Sequence, residues 1–173
     1  YIITPAQETT IRASYRGFDA NTTISIDDAE LTDIIVTCAD PDLSIANGTS
    51  TQFTATGVFS NGQNYNITTD SSVTWTSSLP LIVSIDDDTG IATGDDPGTS
   101  TIEAEWTGAG LNDTDSLNLE VTTATLTSIT LSGPNSAASG IDVDFTATGH
   151  FTDGSTQDMT DQLDWSSSNP GVA

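Results

Sequence analysis

Phe53-Thr54-Ala55-Thr56-Gly57 recurs unchanged as Phe145-Thr146-Ala147-Thr148-Gly149. The likeness runs on downstream. Val58-Phe59-Ser60-Asn61-Gly62 is answered by His150-Phe151-Thr152-Asp153-Gly154, and Val73-Thr74-Trp75-Thr76-Ser77-Ser78 by Leu163-Asp164-Trp165-Ser166-Ser167-Ser168. Upstream, Leu31-Thr32-Asp33-Ile34-Ile35-Val36 and Leu126-Thr127-Ser128-Ile129-Thr130-Leu131 open the two occurrences, 95 residues apart. One unit has been copied along the chain. Within it Phe53, Ala55 and Phe59 (Phe145, Ala147 and Phe151 in the second occurrence) alternate with polar residues, a period of two that marks a half-buried strand. Each buried Phe contributes about 1.5–3 kcal/mol, so these are fold residues.

Between the two openings the pattern gives strands at 33–37, 51–59, 64–68, 72–77, 82–86 paired with 90–93, 99–106 and 115–122. Asn47-Gly48, Asn61-Gly62, Thr89-Gly90, Asp96-Pro97-Gly98 and Gly108-Ala109-Gly110 separate them, each with a residue that tolerates positive φ. Short strands, regular turns and no 3.6-residue apolar period predict an all-β sandwich with no helix required. One complete unit is expected over 31–125. Residues 1–30 read as the closing half of another, since Thr10-Ile11-Arg12-Ala13-Ser14-Tyr15 matches Thr101-Ile102-Glu103-Ala104-Glu105-Trp106. Residues 126–173 read as an opening half, expected to be completed by a longer parent chain or by residues 1–30 of a neighbouring copy. Tyr1-Ile2-Ile3-Thr4 and Ser168-Asn169-Pro170-Gly171-Val172-Ala173 both read as mid-pattern, so the segment is expected to come from a longer protein.

Charge narrows the partners. Asp and Glu number 25 against two Arg and no Lys, a net charge of −23. Such a surface repels nucleic acid and anionic membranes. The acids are scattered through turns and outward strand positions, as a solvated surface would have them. No apolar run reaches the 18–20 residues of a membrane helix. Cys38 is the one cysteine, so no internal disulfide forms, and it is expected to act as a small buried apolar residue at a strand end.

Leu-Thr-x-Ile (31–34 and 126–129), the stretch ending in Phe-Thr-Ala-Thr-Gly-x-Phe-x-[Asn/Asp]-Gly (48–62 and 140–154), Trp-x-Ser-Ser (within 69–78 and 160–168) and Gly-Thr-x-x-Ile-x-Ala (98–104) together resemble the bacterial Ig-like group 2 domain. The chain departs from the family in its near-absence of Lys and Arg, and Ser168-Asn169-Pro170 is replaced by Ser78-Leu79-Pro80 in the central copy. The resemblance implies tandem Ig-like sandwiches of the kind found in intimin- and invasin-like adhesins and in phage virion proteins. There they act as stalks, spacers or binding modules on the cell surface or in extracellular fibres, with neighbouring Ig-like domains as partners.

Candidate sites are few. Trp75 and Trp165 fall at equivalent positions and are expected between the sheets. Trp106 and its counterpart Tyr15 are expected to be half-exposed, and they are the candidates for a ligand-binding aromatic pair. His150 stands where the other copy has Val58, a strand position rather than a catalytic one. Asp86-Asp87-Asp88 in a hairpin, and Asp27, Asp28 and Asp33 at a junction, are calcium candidates, because calcium takes carboxylate and carbonyl oxygens from loops. No calcium-loop motif accompanies them. No Gly-x-Ser-x-Gly, no His–Ser pairing and no cleft for paired carboxylates is evident, so no enzymatic activity and no catalytic residue is expected.

Overall fold

A computed structural model describes residues 7–26, 28–108 and 112–170, and among these described residues lie fourteen strands and one 3-10 turn. Nine strands, from β3 to β11, close into a sandwich. β3 (Leu31–Cys38), β5 (Ser50–Phe59), β9 (Ile91–Gly94) and β8 (Val83–Ile85) lie side by side in that order, with β6 (Asn64–Asn66) also paired to β5. The facing sheet runs β4 (Ser44–Ala46), β11 (Asp113–Thr122), β10 (Gly98–Trp106), β7 (Val73–Ser77). All pairings are antiparallel except β4 against β11. The sequence pattern misses β4. Its three residues, Ser-Ile-Ala, are too short to show a period, and a parallel partner far along the chain holds them.

Alternation sorts each strand onto the core. β5 buries Thr51, Phe53, Ala55 and Gly57 between half-exposed neighbours, and β10 buries Ser100, Ile102, Ala104 and Trp106. Phe53 and Trp75 meet edge to face, centroids 6.3 Å apart, at the centre. The indole N–H of Trp75 donates to the Thr68 carbonyl at 3.1 Å, so the buried ring carries no orphaned donor. Gly90 (φ +71°) closes the turn before β9 directly over this pair; a Cβ there would sit 2.8 Å from the Phe53 carbonyl oxygen.

Two further pieces flank the sandwich. β1 (Gln7–Tyr15) and β2 (Phe18–Ile26) form a hairpin of nine residue pairs around Arg16-Gly17, and every side chain described in it is exposed. β12 (Leu126–Ser132), β13 (Thr146–Phe151) and β14 (Thr156–Asp158) form a three-stranded sheet ending in a 3-10 turn at Thr160–Gln162. This sheet repeats the opening of the central sandwich bond for bond. Thr160 Oγ1 accepts from Ala147 N as Thr68 Oγ1 accepts from Ala55 N, and Trp165 Nε1 donates to Thr160 O as Trp75 does to Thr68 O.

What the third occurrence lacks is cover. Trp165 and Phe145, expected in a core, are 46% and 45% exposed, against 2% and 0% for Trp75 and Phe53. The stretch 163–167, counterpart of β7, is not a strand. β7 is held by β10, and the C-terminal sheet has no such neighbour among the described residues to supply ladder partners.

Candidate functional site

The densest polar contact between separate parts of the chain lies where the C-terminal sheet meets the central sandwich. Thr123-Ala124-Thr125 link β11 to β12, and the link is short enough to bring Gln157 and Gln162 against the start of β5. Gln157 Nε2 donates to the Ser50 carbonyl at 3.0 Å while its Oε1 accepts from Thr49 Oγ1 at 2.9 Å. Gln162 Nε2 donates to the same carbonyl at 2.9 Å, and its Oε1 accepts from Ser50 N at 2.8 Å. Each amide thus uses both ends, and the Ser50 backbone is held on both its groups. Beside them Ala46, Ala124, Phe151 and Met159 form a small buried apolar cluster with Leu163 against it. An open groove of about 630 Å³ runs along this joint, edged by Asp40, Asp158 and Asp161.

A second contact ties the two central sheets together. β3 is an edge strand, and the backbone N–H groups of Ile34 and Val36 have carboxylate partners. Asp113 Oδ2 accepts from Ile34 N at 3.1 Å and Asp115 Oδ2 from Val36 N at 2.7 Å. Both carboxylates come from β11 in the opposite sheet. The clasp satisfies donors that an edge leaves open and blocks them from another strand. By sequence pattern alone these acids belong to a solvated surface. Their spacing of two, facing an edge strand, is a signal visible only once the strand order is known.

The sequence candidates fare differently. Trp106 is corrected: it is 8% exposed rather than half-exposed, because it closes one end of the core edge-on to Phe59, centroids 6.4 Å apart. Its Nε1 has no hydrogen-bond partner among the described residues. Tyr15, its counterpart, is 69% exposed with the Arg16 guanidinium 5.1 Å above the ring centroid. The two aromatics therefore do not form a like pair. His150 sits in β13, its Nε2 3.1 Å from Thr130 Oγ1, as a strand residue should.

The acidic candidates are dispersed. Asp86 Oδ1 accepts from Thr89 Oγ1 at 2.7 Å, Thr89 N at 2.8 Å and Asp88 N at 3.2 Å. These bonds, the Thr89 hydroxyl first, hold its carboxyl below the usual range. Asp86 therefore shapes the hairpin turn, while Asp87 and Asp88 stand exposed beside it. Asp33 is exposed at a bulge in β3, Asp28 is exposed in the junction, and Asp27 lies outside the described residues. Among the described residues no three His, Cys, Asp or Glu side chains are gathered as a metal would require. Cys38 ends β3, half-buried, its Sγ 3.5 Å from Thr51 Oγ1; burial pushes the thiol pKa up and keeps it protonated. No described helix is long and apolar enough to cross a membrane.

The chain is similar to known proteins in three ways. The sequence profile of the bacterial Ig-like domain (group 2) matches residues 31–105. Ice-binding protein 1 of Shewanella frigidimarina (strain NCIMB 400) is 39% identical over 164 residues, which make up 94% of this chain and 17% of that protein. Among solved structures, domains 1–6 of the surface layer protein SbsC share 14% identity at a TM-score of 0.45, over 87% of this chain and 26% of that one. Domains 4–9 of the same protein share 14% at 0.44, over 97% and 28%. The chain spans less than a third of each of these. The profile match starts at Leu31, where β3 begins, and ends within β10, covering Phe53, Trp75 and Ile102 of the core. Residues 31–105, from the start of β3 to within β10, thus match the bacterial Ig-like domain (group 2), a non-enzymatic family.

Proposed function

We propose that the chain is a non-catalytic spacer segment of a large extracellular surface protein, one that holds other parts of that protein at a distance. The observation that carries this reading is the joint. A spacer must resist bending where units meet, and here Gln157, Gln162 and the Ala46–Ala124–Phe151–Met159 cluster tie two consecutive units across a three-residue link. Four hydrogen bonds of about 0.5–1.5 kcal/mol each, taken near the lower end because the groups are half-exposed, give the joint about 2–4 kcal/mol. The ten-residue β5 spans roughly 34 Å at 3.4 Å per residue, so each unit adds length of that order. A surface without Lys and with a net charge of −23 suits crowded, salty surroundings, where screening suppresses self-repulsion.

NMR relaxation on the parent chain tests the reading. Residues of 31–125 and of 126–170 are expected to share one correlation time. Replacing both Gln157 and Gln162 by Ala should separate the two times and broaden the distance distribution in small-angle scattering, while the melting temperature of the central sandwich stays put. Independent tumbling in the parent chain would defeat the spacer reading.

A second reading is that the segment contacts ice itself. It is favoured by the 39% identity to a protein named for ice binding. Thermal hysteresis and ice shaping by the 173-residue chain separate the two readings, since a spacer leaves both at buffer level.

A further inference from the structure

We propose that Asn61 is a site of spontaneous chemical modification, losing its side-chain amide to become aspartate or isoaspartate, while Asn47, in the same dipeptide, is protected by the fold. Asparagine followed by glycine is the pair most prone to this change, because glycine has no Cβ to obstruct attack by its own nitrogen. The chain holds two such pairs, Asn47-Gly48 and Asn61-Gly62. In the reaction the glycine main-chain nitrogen gives up its proton and attacks the asparagine Cγ. The N–Cγ bond forms, the Cγ–Nδ2 bond breaks, and ammonia leaves with that proton. Water then opens the five-membered imide at one carbonyl or the other. One opening gives aspartate; the other gives isoaspartate, whose main chain runs through the side-chain carbon. No oxidant, metal or enzyme takes part.

Local conformation does not separate the two pairs. Gly48 and Gly62 have φ of +80° and +79°, both pairs are exposed, and nothing lies within 4 Å of where a Cβ would sit on either glycine. What differs is the hold on the attacking nitrogen. Gly48 N donates to the Gly94 carbonyl at 2.8 Å and Asn47 N to the Thr122 carbonyl at 3.2 Å, so that pair is tied to the ends of β9 and β11. Freeing the nitrogen there means pulling strand ends of the sandwich apart. Gly62 N donates at 2.8 Å to the Phe59 carbonyl, inside its own turn between β5 and β6. A bond within a loop tip opens at a small fraction of the free energy of unfolding, whereas a bond between distant strands opens at a larger one.

The chain also displays the product in place. At the tip between β13 and β14, Asp153-Gly154 stands where the β5–β6 turn has Asn61-Gly62. There Gly154 N donates to Phe151 O at 3.0 Å, Phe151 N to Ser155 O at 3.0 Å, and Ser155 N to Asp153 Oδ1 at 2.9 Å. Gly62 N to Phe59 O, Phe59 N to Gln63 O and Gln63 N to Asn61 Oδ1 repeat these bonds at 2.8, 2.9 and 3.0 Å. The side-chain oxygen accepts in both turns, and a carboxylate accepts as well as an amide does. The aspartate product therefore fits the turn unchanged and adds one negative charge. Isoaspartate does not fit, because an extra main-chain carbon before Gly62 breaks its bond to Phe59. Beside it Ser60 N donates to Glu30 O at 2.8 Å and Ser60 Oγ accepts from Glu30 N at 3.1 Å, so the isoaspartate form also loosens the entry to β3.

Peptide mapping by mass spectrometry on the full chain, aged at mildly alkaline pH in heavy-oxygen water, tests this. Exchange of amide for labelled hydroxyl should accumulate at Asn61 about tenfold or more faster than at Asn47, a ratio equivalent to about 1.4 kcal/mol between the two openings. In concentrated urea, where neither pair is held, the two rates should come within about twofold of each other. Asn61→Asp should melt with the parent, whereas the isoaspartate fraction, separated by chromatography from the aged chain, should melt below it. Equal rates at Asn61 and Asn47 in the folded chain overturn the proposal. So does an Asn61 that stays intact in the folded chain while it reacts in urea. An Asn61→Asp variant that melts below the parent overturns the fit of the product to the turn.

Discussion

Asp115→Ala is the substitution that best tests how this sandwich keeps its sheets together. The Asp115 carboxylate reaches from β11 to the backbone N–H of Val36 at 2.7 Å, and Val36 is buried. The other carboxylate oxygen accepts from Ser116 N at 2.8 Å. Removing the side chain deletes a charge-assisted bond and strands a donor at the edge of β3. A hydrogen bond to a charged group contributes about 1.5–3 kcal/mol, and an unsatisfied buried donor costs a similar amount. Water reaches this half-buried edge in part, so the lower end applies, about 2 kcal/mol. At about 4–8 °C per kcal/mol for a domain of this size, the central transition should fall by roughly 8–16 °C in calorimetry. Asp115→Asn keeps an acceptor oxygen without the charge and should lose about half as much. Asp113→Ala breaks the longer 3.1 Å bond to Ile34 and should lose about 1 kcal/mol. If Asp115→Ala melts within about 0.5 kcal/mol of the parent, as ordinary surface changes do, the carboxylate is solvated decoration and does not clasp the sheets. An Asn variant as damaged as the Ala variant would refute the charge-assisted bond in the same way.

Two further outcomes follow from turns. Gly90→Ala forces a Cβ into positive φ within 2.8 Å of the Phe53 carbonyl and 3.0 Å of Trp75, and should cost about 2–4 kcal/mol in urea unfolding; Gly62→Ala, at φ +79° but facing open space, should cost only about 1. Asp86→Ala removes the acceptor that caps its hairpin turn. Since hydrogen bonds from Thr89 and Asp88 lower the folded pKa of Asp86 below 3.8, its contribution is present above that value and is lost as pH falls through the folded value. The variant should therefore melt below the parent at neutral pH and converge with it in acid; a gap that persists at low pH would point to a role other than that of the ionised carboxylate.

The repeat, the alternation and the glycine turns were enough to name the fold class and to place most of the strands, because strand burial has a period of two and turns need particular residues. They located Phe53, Ala55 and Trp75 in the core and His150 on a strand for the same reason. A local pattern does not record which distant group faces which. Trp106 reads as half-exposed because its strand alternates with acids, yet Phe59, 47 positions earlier in the chain, seals it in. Trp165 reads as core because its sequence copy is core, yet burial belongs to an assembled pair of sheets and its own sheet stands uncovered. The pairing of Gln157 and Gln162 with Ser50, and of Asp113 and Asp115 with β3, joins residues far apart in sequence. Periodicity is a property of neighbours along the chain, whereas a joint or a clasp is a property of neighbours in space, and only the folded arrangement decided those.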